Sequence, residues 1–459
     1  MARADWKRVS LASLSILGLV QLSFLLGAAV MVFRWPSSSY LRDAFIAFKA
    51  WHGRAYEADQ SSAADRQSPN AKIRSVDKPA KTYDGYTLVM VAPSNEALLI
   101  DMEGKVVHRW STIWSDIWPE GTHPHVTGAG INDRYIIPMY GYLFPDGDLL
   151  VVFHGWYNGA ANGFGLARLR QDSSVVWKYS ANVHHDVDVG PDDTVYCIRQ
   201  RLIPEKESIA GLDFTQGPCM VDDLVMLTPV DGGKSFKEEV IPILEAFRDS
   251  TRYSALLGVL EQPTLHGAHL PDPVADQERL DMLHTNHVEV LPERLAAKFP
   301  MFKPGQLLIS MRHTDIVAVI DPQTKSVVWA TPGPWHRQHD PEFLENGRLL
   351  IFDNEGLGKT ASRVLEYDPS TGAIPWCCSG SQDVPFSTFE RGMSQRLPNG
   401  NTLIVDTHGS WILEVTADKE LVWTHSMNGK DVNFARRYGP KQVKFLDDAQ
   451  PRAKTKAAQ

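Results

Sequence analysis

A histidine in a strand–turn–strand segment is the first residue of this sequence whose type and position suggest chemistry. His339 lies in the segment WHRQHDPEFLENGRLLIFDNEG, ahead of an Asn346-Gly347 pair with apolar runs on both sides. An Asn-Gly pair in that setting predicts a tight β-hairpin. A histidine at the start of such a hairpin is held on a rigid frame and is still accessible to a ligand. Counting three residues back from Asp188, Glu289, Glu342 and Gln395 in the corresponding segments gives His185, Asn286, His339 and Gly392.

A second set of polar residues is predicted to lie at the end of the strand that follows each turn. Seven residues after the turn glycines stand His154, Arg312, Asn354 and Thr407, and Arg199 takes this place in a less regular segment. His284 and Thr285 directly precede Asn286. If the segments are repeats of one structural unit, both sets meet around one small volume. The sequence then predicts a site of imidazoles, a guanidinium and amides.

A cluster of this composition, with few carboxylates, suits a sulfate or phosphate ester. Arginine binds such oxyanions through a planar fork of donors, and a neutral imidazole can act as a nucleophile or as an acid towards a leaving oxygen. Metal binding is the competing interpretation, because three histidines suffice for zinc. Arg312 weakens it, since two cations in one small volume are costly without an anion between them. The sequence therefore predicts no metal and no cofactor.

The elements that position these residues follow from a repeat. Trp329, Trp376 and Trp423 stand 47 residues apart, and each closes a strand–turn–strand segment that follows an earlier hairpin. Four strands in about 40–50 residues are typical of one β-propeller blade. The predicted fold is therefore all-β, a six-bladed β-propeller, and a β-sandwich with coincidental tryptophans is the alternative. The blades are predicted to begin near Tyr86, Tyr142, Asp186, His287, Asp340 and Gln395.

The propeller fold predicts where the polar residues meet. The first strand of each blade lines the central channel, so His185, Asn286 and His339 should converge on the channel mouth. Polar groups that converge on such an axis usually indicate a ligand or catalytic site. Asp186 and Asp340 directly follow two of the histidines, and strand alternation predicts that they point away from the channel.

The third blade departs from the regular spacing. Residues 203–283 are predicted to be an insertion, with a helix across residues 237–260 at its centre. Within it, the segment DDLVMLTPVDGGKSFKEEV fits better as the outer half of blade three. A seventh blade in this region is the alternative.

Outside the propeller the sequence predicts a membrane attachment. Residues 9–33 form an uncharged run of 25 residues, and a membrane-spanning helix needs roughly 20. We therefore expect residues 1–33 to be an N-terminal transmembrane helix; a cleaved signal peptide is the alternative, because Gly27-Ala28-Ala29 offers small residues. The propeller should then lie in the periplasm or the extracellular space. The remaining predicted boundaries are 34–80 for an amphipathic segment and linker, 81–430 for the propeller, and 431–459 for a C-terminal extension and disordered tail.

Net charge and cysteine usage limit the possible partners. A formal charge of −9 without a basic stripe argues against a nucleic acid partner. The four cysteines, Cys197, Cys219, Cys377 and Cys378, contain no CxxC pair, which argues against a zinc ribbon. A bridge between Cys197 and Cys219 is left open for an exported protein. Nothing in the sequence determines an oligomeric state.

Several of these phrases together resemble one family. HHDVDV, HTNHVEVLP, MRHTDIVAVIDPQTKSVVW, QHDPEFLENGRLLIFDN and SQRLPNGNTLI agree in order and spacing with the bacterial arylsulfotransferases, also called arylsulfate sulfotransferases. The resemblance covers roughly residues 83–430. It implies a six-bladed propeller that moves a sulfuryl group from an aryl sulfate donor to a phenolic acceptor, without phosphoadenosine phosphosulfate. It also implies ping-pong chemistry through a sulfated histidine.

The same resemblance implies a role for each matching residue. His339 of the QHD motif would be the nucleophile. His284 and Asn286 of the HxN motif would hold the sulfuryl oxygens together with Arg312. The remaining implied contacts are His185 of the HHD motif, for the sulfuryl group or the phenol oxygen, with His184 as the alternative, and Thr285 and Thr407.

Two other functions compete with this one. A non-catalytic, membrane-tethered propeller that binds an anionic ligand or a partner protein is the main alternative. The presence of His284, Asn286, Arg312 and His339 together favours the enzyme, because a scaffold has little use for the whole set. Quinoprotein dehydrogenases also repeat a tryptophan at blade ends, but they generally use eight blades and calcium-binding carboxylates.

Overall fold

Six four-stranded antiparallel sheets surround a central channel, each contributing its innermost strand to the channel wall. The computed structural model describes residues 75–120, 133, 136–155, 163–203, 208–209, 212–213, 219–250, 253–254, 256, 281–356 and 361–446. The predicted all-β, six-bladed β-propeller is confirmed. A seventh four-stranded sheet does not occur in these residues.

The strands have the following bounds. In chain order they are β1 (Tyr86–Ala92), β2 (Glu96–Ile100), β3 (Val106–Ser111), β4 (Ile136–Leu143), β5 (Leu149–Gly155), β6 (Gly163–Leu169), β7 (Val175–Tyr179), β8 (Val183–Val189), β9 (Val195–Ile203), β10 (Ser208–Ile209), β11 (Leu212–Asp213), β12 (Cys219–Val230), β13 (Ser235–Pro242), β14 (Thr285–Val290), β15 (Leu307–Met311), β16 (Ile316–Asp321), β17 (Ser326–Pro332), β18 (His339–Phe343), β19 (Leu349–Asp353), β20 (Arg363–Tyr367), β21 (Trp376–Ser379), β22 (Met393–Arg396), β23 (Thr402–Asp406), β24 (Trp411–Val415), β25 (Leu421–Ser426) and β26 (Asp431–Tyr438).

Helices are few and short in the described residues. The α-helical segments are Trp114–Ile117, Ile243–Arg248 and Glu293–Ala296, and the 3₁₀ turns are Arg312–Thr314 and Pro440–Gln442. None of them is long and apolar enough to cross a membrane. The predicted anchor at residues 1–33, most of the predicted linker and the tail from residue 447 lie outside the described residues.

The first blade is closed by the C-terminal strand. Its strand order is β26-β1-β2-β3, with Tyr86 paired to Tyr438 and Ala92 paired to Asp431. β26 is therefore the innermost strand of this blade, and β1 is the second. The predicted propeller boundary at residue 430 is wrong, because residues 431–438 are a propeller strand and not an extension. Joining the two ends of the chain in one sheet removes the exposed sheet edges that an open ring would leave.

The third blade has the strand order β8-β9-β12-β13, and its two outer strands lie within residues 203–283, which were predicted to be an insertion. The turn between β12 and β13 pairs Val230 with Ser235, so the outer half of this blade is formed as the segment DDLVMLTPVDGGKSFKEEV suggested. The prediction of one insertion across 203–283 is therefore wrong. The predicted helix across 237–260 is also wrong at its start, because residues up to Pro242 are strand and the helix there spans only Ile243–Arg248.

The repeated tryptophans join neighbouring blades. Trp110, Trp376 and Trp423 lie on β3, β21 and β25, which are the outermost strands of blades one, five and six. Each indole N–H donates to a turn carbonyl of the next blade. The acceptors are the carbonyls of Gly147, Ala417 and Met102, at 3.2, 2.7 and 3.0 Å. A tryptophan is favourable at this position, because its large ring fills the gap between neighbouring sheets while its N–H group is hydrogen-bonded.

A ring of acceptor side chains joins the innermost strands. Asp188, Glu289, Glu342 and Gln395 each accept the backbone N–H of a residue on the innermost strand of the next blade. The four donors are Val290, Phe343, Arg396 and Arg437, at 2.8, 2.8, 3.0 and 2.8 Å. Innermost strands present an unpaired edge, and these oxygens satisfy it. The four residues that aligned the blades in the sequence therefore have the same structural role, because each bonds its own blade to the next one.

Two smaller predictions are corrected by the packing. Cys197 pairs across the sheet with Val225 while Cys219 pairs with Ile203, so the two thiols are apart and both are free. The end of the predicted linker is ordered: the N–H of Lys78 donates to the Val422 carbonyl at 2.9 Å, beside strand β25.

Candidate active site

Bulges at the start of three innermost strands place the predicted site residues. The strand register shifts between His184 and Val187, between Thr285 and His287, and between His339 and Glu342. His185, His284 and Asp340 have positive φ angles of 57°, 49° and 49°. A bulge inserts one residue and redirects its side chain, which is why bulges are common beside active sites.

The bulges also overturn the expected strand alternation. Asp186 and Asp340 do not point away from the channel, because both line a central cavity of about 510 Å³. Their carboxylates accept the N–H groups of Val288 and Ser394 in the next blades, at 3.3 and 2.8 Å. Asp186 also lies 2.7 Å from Nδ1 of His287. These carboxylates hold blades together and do not orient the neighbouring His185 and His339.

The hydrogen bonds of His339 define its tautomer. Nδ1 lies 2.7 Å from Oδ1 of Asn354 and 3.0 Å from the Arg337 carbonyl oxygen. The Asn354 amide nitrogen donates to the carbonyls of Thr388 and Arg391, at 3.0 and 2.6 Å, so its oxygen must face His339. Both partners of Nδ1 are acceptors, and Nδ1 therefore carries the proton. Nε2 carries the lone pair, which accepts the backbone N–H of Arg391 at 3.2 Å.

His339 is neutral at ordinary pH. Burial lowers its pKa to about 3, helped by the positive charges of Arg312 and His284 and opposed by the hydrogen bond to Asn354. The residue is only 1% exposed. A neutral imidazole with its proton fixed on Nδ1 presents a nucleophilic nitrogen at Nε2.

His284 forms a carboxylate–imidazole pair with Asp281. Nδ1 of His284 lies 2.7 Å from Oδ2 of Asp281, and the backbone N–H of His284 donates to Oδ1 at 3.0 Å. Burial alone would raise the pKa of Asp281, but His284, His313 and His184 outweigh it and hold that pKa well below its usual value. The ionised carboxylate keeps the proton of His284 on Nδ1, as in Asp–His pairs of acid–base catalysts. The His284 side chain is 18% exposed.

Arg312 joins this pair through His313. Its NH1 donates to Nε2 of His313 at 2.9 Å, and Nδ1 of His313 donates to the Asp281 carbonyl at 2.7 Å. The backbone N–H of Arg312 donates to the His284 carbonyl at 3.1 Å. Burial lowers the pKa of His313, and the charges of His284 and Arg312 lower it further. The end of β15 is thus tied to the start of β14, as the two predicted sets of residues required.

His185 is packed against the same histidines. Its ring centroid lies 4.7 Å from that of His284, 4.9 Å from that of His184 and 5.7 Å from that of His154. Nδ1 of His185 lies 2.6 Å from Nδ1 of His184. Burial lowers the pKa of His185 far below its usual value, and the neighbouring imidazoles lower it further. The site therefore collects six imidazoles and the guanidinium of Arg312, which contacts one of them; the six belong to His154, His184, His185, His284, His313 and His339.

One metal-like grouping occurs in the described part of the chain. Ligand atoms of Asp281, His284 and His313 lie within 4.8 Å of one another. A metal there would compete with the hydrogen bonds between Asp281 and His284 and between Arg312 and His313. These residues are instead hydrogen-bonded as an acid–base network.

Comparison with known proteins identifies the family. Residues 142–428 match the family model described as arylsulfotransferase (ASST), which is more than half of the chain. The chain belongs to the arylsulfotransferase family. No curated protein matches the sequence. The family assignment agrees with the resemblance carried by the QHD, HxN and HHD motifs.

Similarity to solved structures is weak. A protein of unknown function from Bacteroides caccae is 10% identical with a TM-score of 0.46, covering 77% of this chain and 98% of that chain. The virginiamycin B lyase from Staphylococcus aureus is 10% identical with a TM-score of 0.33, covering 63% and 70%. At these values the similarity supports no inference about the function of this arylsulfotransferase-family protein.

Three predicted substrate contacts, Asn286, Thr285 and Thr407, are buried. Nδ2 of Asn286 donates to the Gln338 carbonyl at 2.9 Å and so fixes the residue before His339. Oγ1 of Thr407 accepts the Gly392 N–H at 3.1 Å. Thr285 and Thr407 are fully buried. Asn286 and Thr407 thus support the backbone around His339, whereas the Thr285 hydroxyl has no hydrogen-bond partner in the described structure.

Three important residues were not predicted, and one candidate lies elsewhere. Asn354 was placed in the second set but given no role, Asp281 stands three residues before His284, and Arg391 directly precedes Gly392. Their positions beside predicted residues are the signal that could have found them. Arg199 is not in the site, because its guanidinium binds Glu238 at 2.6 Å and the Tyr179 hydroxyl at 3.1 Å.

Asn354 should be a positioning residue, and its substitution separates tautomer control from packing. We expect Asn354→Ala to lower kcat about 10²-fold. This is a smaller loss than the one seen when the Asp that fixes the His tautomer of a catalytic triad is replaced, because the Arg337 carbonyl still accepts from Nδ1. Asn354→Asp keeps the acceptor and should retain more activity. Its carboxylate also stabilises the imidazolium, so the acid limb of the pH–rate profile should move to higher pH. Equal losses of kcat in both variants, with unchanged pH–rate profiles, would mean that Asn354 contributes only to packing.

Proposed function

We propose that this protein transfers a sulfuryl group from an aryl sulfate to a phenolic acceptor by a ping-pong mechanism, with His339 carrying the sulfuryl group in between. The observation that carries the proposal is the neutral, buried His339, whose proton is fixed on Nδ1 by Asn354 and whose Nε2 lies in a cluster with Arg312 and His284. Membership of the arylsulfotransferase family supports a sulfotransferase in general.

In the first half-reaction Nε2 of His339 gives up its hydrogen bond with the Arg391 N–H and attacks the sulfur atom of the donor. The N–S bond forms as the S–O bond to the aryl oxygen breaks, and that electron pair stays on the oxygen. The ring then carries a positive charge next to the negative sulfonate. The Nδ1–H···Oδ1 bond to Asn354 stabilises that positive charge, because it strengthens as the ring becomes cationic.

Arg312 stabilises the charge on the transferring group. Sulfuryl transfer resembles phosphoryl transfer in spreading negative charge over three oxygens, and a preorganised cation in a dry site is effective against such charge. Arg312 is 3% exposed, and its charge is felt by His339. Since it is held by His313, the guanidinium need not reorganise during the reaction.

The Asp281–His284 pair moves the proton of the phenol. His284 donates a proton from Nε2 to the leaving aryl oxygen, and in the second half-reaction it accepts the proton of the incoming phenol. His284 is therefore an imidazolium before the first half-reaction and again after the second, and Asp281 stabilises that form. The acceptor oxygen then attacks sulfur, the N–S bond breaks, and His339 regains its lone pair on Nε2. We assign this role to His284 over His185, because burial holds the pKa of His185 far below its usual value.

The test is kinetic and chemical. The purified full-length chain is incubated with p-nitrophenyl sulfate and phenol, and initial rates are measured at several concentrations of each. We expect parallel double-reciprocal lines and, without acceptor, a burst of about one nitrophenolate per site. Mass spectrometry should then find one added sulfo group on the peptide that contains His339. Intersecting lines with no modified peptide would contradict the covalent intermediate, and ligand binding without turnover would favour a non-catalytic propeller.

We also propose that the propeller works outside the cytoplasm, attached to the membrane by the uncharged run at residues 9–33. Fractionation of cells that produce the full chain tests this. The protein should be found in the membrane fraction and should be cleaved by protease added from outside the membrane. Recovery of a soluble, protease-protected protein would contradict the proposal.

A further inference from the structure

One exposed aromatic residue stands beside the site. Phe389 is 49% exposed and is one of four large hydrophobic residues exposed in the described part of the chain, with Leu202, Val230 and Met301. It stands two residues before Arg391, whose backbone N–H faces Nε2 of His339. An exposed aromatic ring next to buried polar groups indicates a place where an apolar ligand can bind.

The ring of Phe389 is held in one orientation. It stacks on the imidazole of His408 with centroids 4.3 Å apart and an interplanar angle of 11°. Nδ1 of His408 is hydrogen-bonded to the Thr388 hydroxyl, and its Nε2 lies 3.7 Å from Oε1 of Glu390. His408 therefore covers one face of the phenyl ring, which leaves the opposite face for a ligand. A ring held in this way loses little conformational freedom when a ligand binds to it.

The segment that carries Phe389 is bonded to the group that orients the nucleophile. Nδ2 of Asn354 donates to the carbonyls of Thr388 and Arg391, which flank Phe389 on both sides. The Ser362 hydroxyl also donates to the Thr388 carbonyl, at 3.0 Å. The position of the ring relative to His339 is therefore determined by the same amide that determines the tautomer of His339.

We propose that Phe389, supported by His408, is the platform on which the aromatic ring of the substrate stacks. The inference rests on the proposed function, and it names the part of the substrate that the site recognises: a planar aryl group and not the sulfate alone. Offset stacking between aromatic rings is favourable beyond simple area burial. The sulfate would extend from the stacked ring towards Arg312 and His339.

One platform serves donor and acceptor in turn. Transfer through His339 requires the leaving oxygen and the attacking oxygen to lie opposite Nε2 across the sulfur atom, because displacement at such centres proceeds roughly in line. The donor's aryl group must therefore leave before the phenol occupies the same place. Loss of the platform should weaken the binding of both substrates to a similar extent.

The experiment compares variants of Phe389 in the full-length protein. We expect Phe389→Ala to raise the KM for p-nitrophenyl sulfate and for phenol by about 5–10-fold each, with kcat changed less than about twofold, since stacking contributes equally to substrate and transition state. Phe389→Tyr should keep both values near those of the wild type. Met301→Ala removes a comparably exposed apolar side chain (42% exposed) elsewhere and should change neither.

A binding measurement separates failure of this inference from failure of the proposed function. Equilibrium binding of p-nitrophenol is measured for His339→Ala and for the double variant with Phe389→Ala, neither of which needs to turn over. Weaker binding in the double variant supports the platform even if the protein transfers no sulfate. If the double variant binds p-nitrophenol as well as His339→Ala does, and Phe389→Ala has unchanged KM values while transfer still depends on His339, the proposal that Phe389 is the platform is wrong. A rise in the KM of only one substrate would also overturn it.

Discussion

Replacing His339 with alanine should abolish sulfuryl transfer, with kcat/KM for p-nitrophenyl sulfate falling by at least about 10⁴-fold. The variant lacks the only protein atom that the proposed mechanism joins to sulfur, and the remaining cations can only polarise the donor. The measurement is nitrophenolate release at saturating phenol, followed by mass spectrometry of the digested protein. Added imidazole should restore part of the activity, because a small neutral nucleophile can occupy the place of the missing ring.

His336→Ala is the matched control for this prediction. His336 lies three residues earlier in the same segment, but its Nδ1 contacts Oδ2 of Asp315 at 3.2 Å and its side chain is 28% exposed. Its loss should leave transfer within about threefold of the wild type, since its imidazole pairs with Asp315 and is not one of the proposed reacting groups. If His339→Ala retains transfer and the sulfo group appears on His185 or His284, the nucleophile has been assigned to the wrong histidine.

Arg312→Ala should produce the second largest loss, with kcat/KM lowered about 10³-fold. In the proposed mechanism the guanidinium supplies a fixed positive charge to the transferring group, and comparable arginines in phosphoryl transfer contribute about 10³–10⁵-fold. Arg312→Lys keeps the charge without the planar fork and should recover part of the loss. The measurement is kcat/KM for a series of aryl sulfates that differ in the pKa of the leaving phenol.

Arg199→Ala is the control for Arg312. The two arginines occupy equivalent places in the sequence repeat, but Arg199 pairs with Glu238 and Asp223 on strands of blade three. Its removal should lower stability slightly and leave kcat/KM within about twofold. Similar losses of activity in both variants, or no loss in Arg312→Ala, would show that the site has no special need for the charge of Arg312.

The blade repeat could be predicted because each blade is mostly a local structure. Hairpins with turn glycines, closed by Trp329, Trp376 and Trp423, are built from neighbouring residues, and the turn type follows from local sequence. The position of Glu342 and its equivalents could be aligned for the same reason. What the sequence did not reveal was why these positions are polar, since their hydrogen bonds run to a different blade.

The ring closure and the third blade were the failures of fold prediction. β26 pairs with β1, from the opposite end of the propeller, and nothing in the local pattern of Asp431–Tyr438 distinguishes it from an extension. In blade three a long excursion separates β9 from β12, so the spacing of the repeat is lost there. Pairing across such sequence distances depends on which edges are left open when the other strands have formed.

The sequence by itself determined the number of blades and brought His185, His284, Arg312 and His339 into one predicted site, because a strict repeat makes equivalent positions meet on the axis. Only the tertiary structure decided which nitrogen of His339 carries the proton and which carboxylate supports His284. It also placed Phe389 beside the nucleophile and Arg199 away from it. These outcomes depend on bulges, positive φ angles and hydrogen bonds between blades, which are set by three-dimensional packing and have no fixed spacing along the chain.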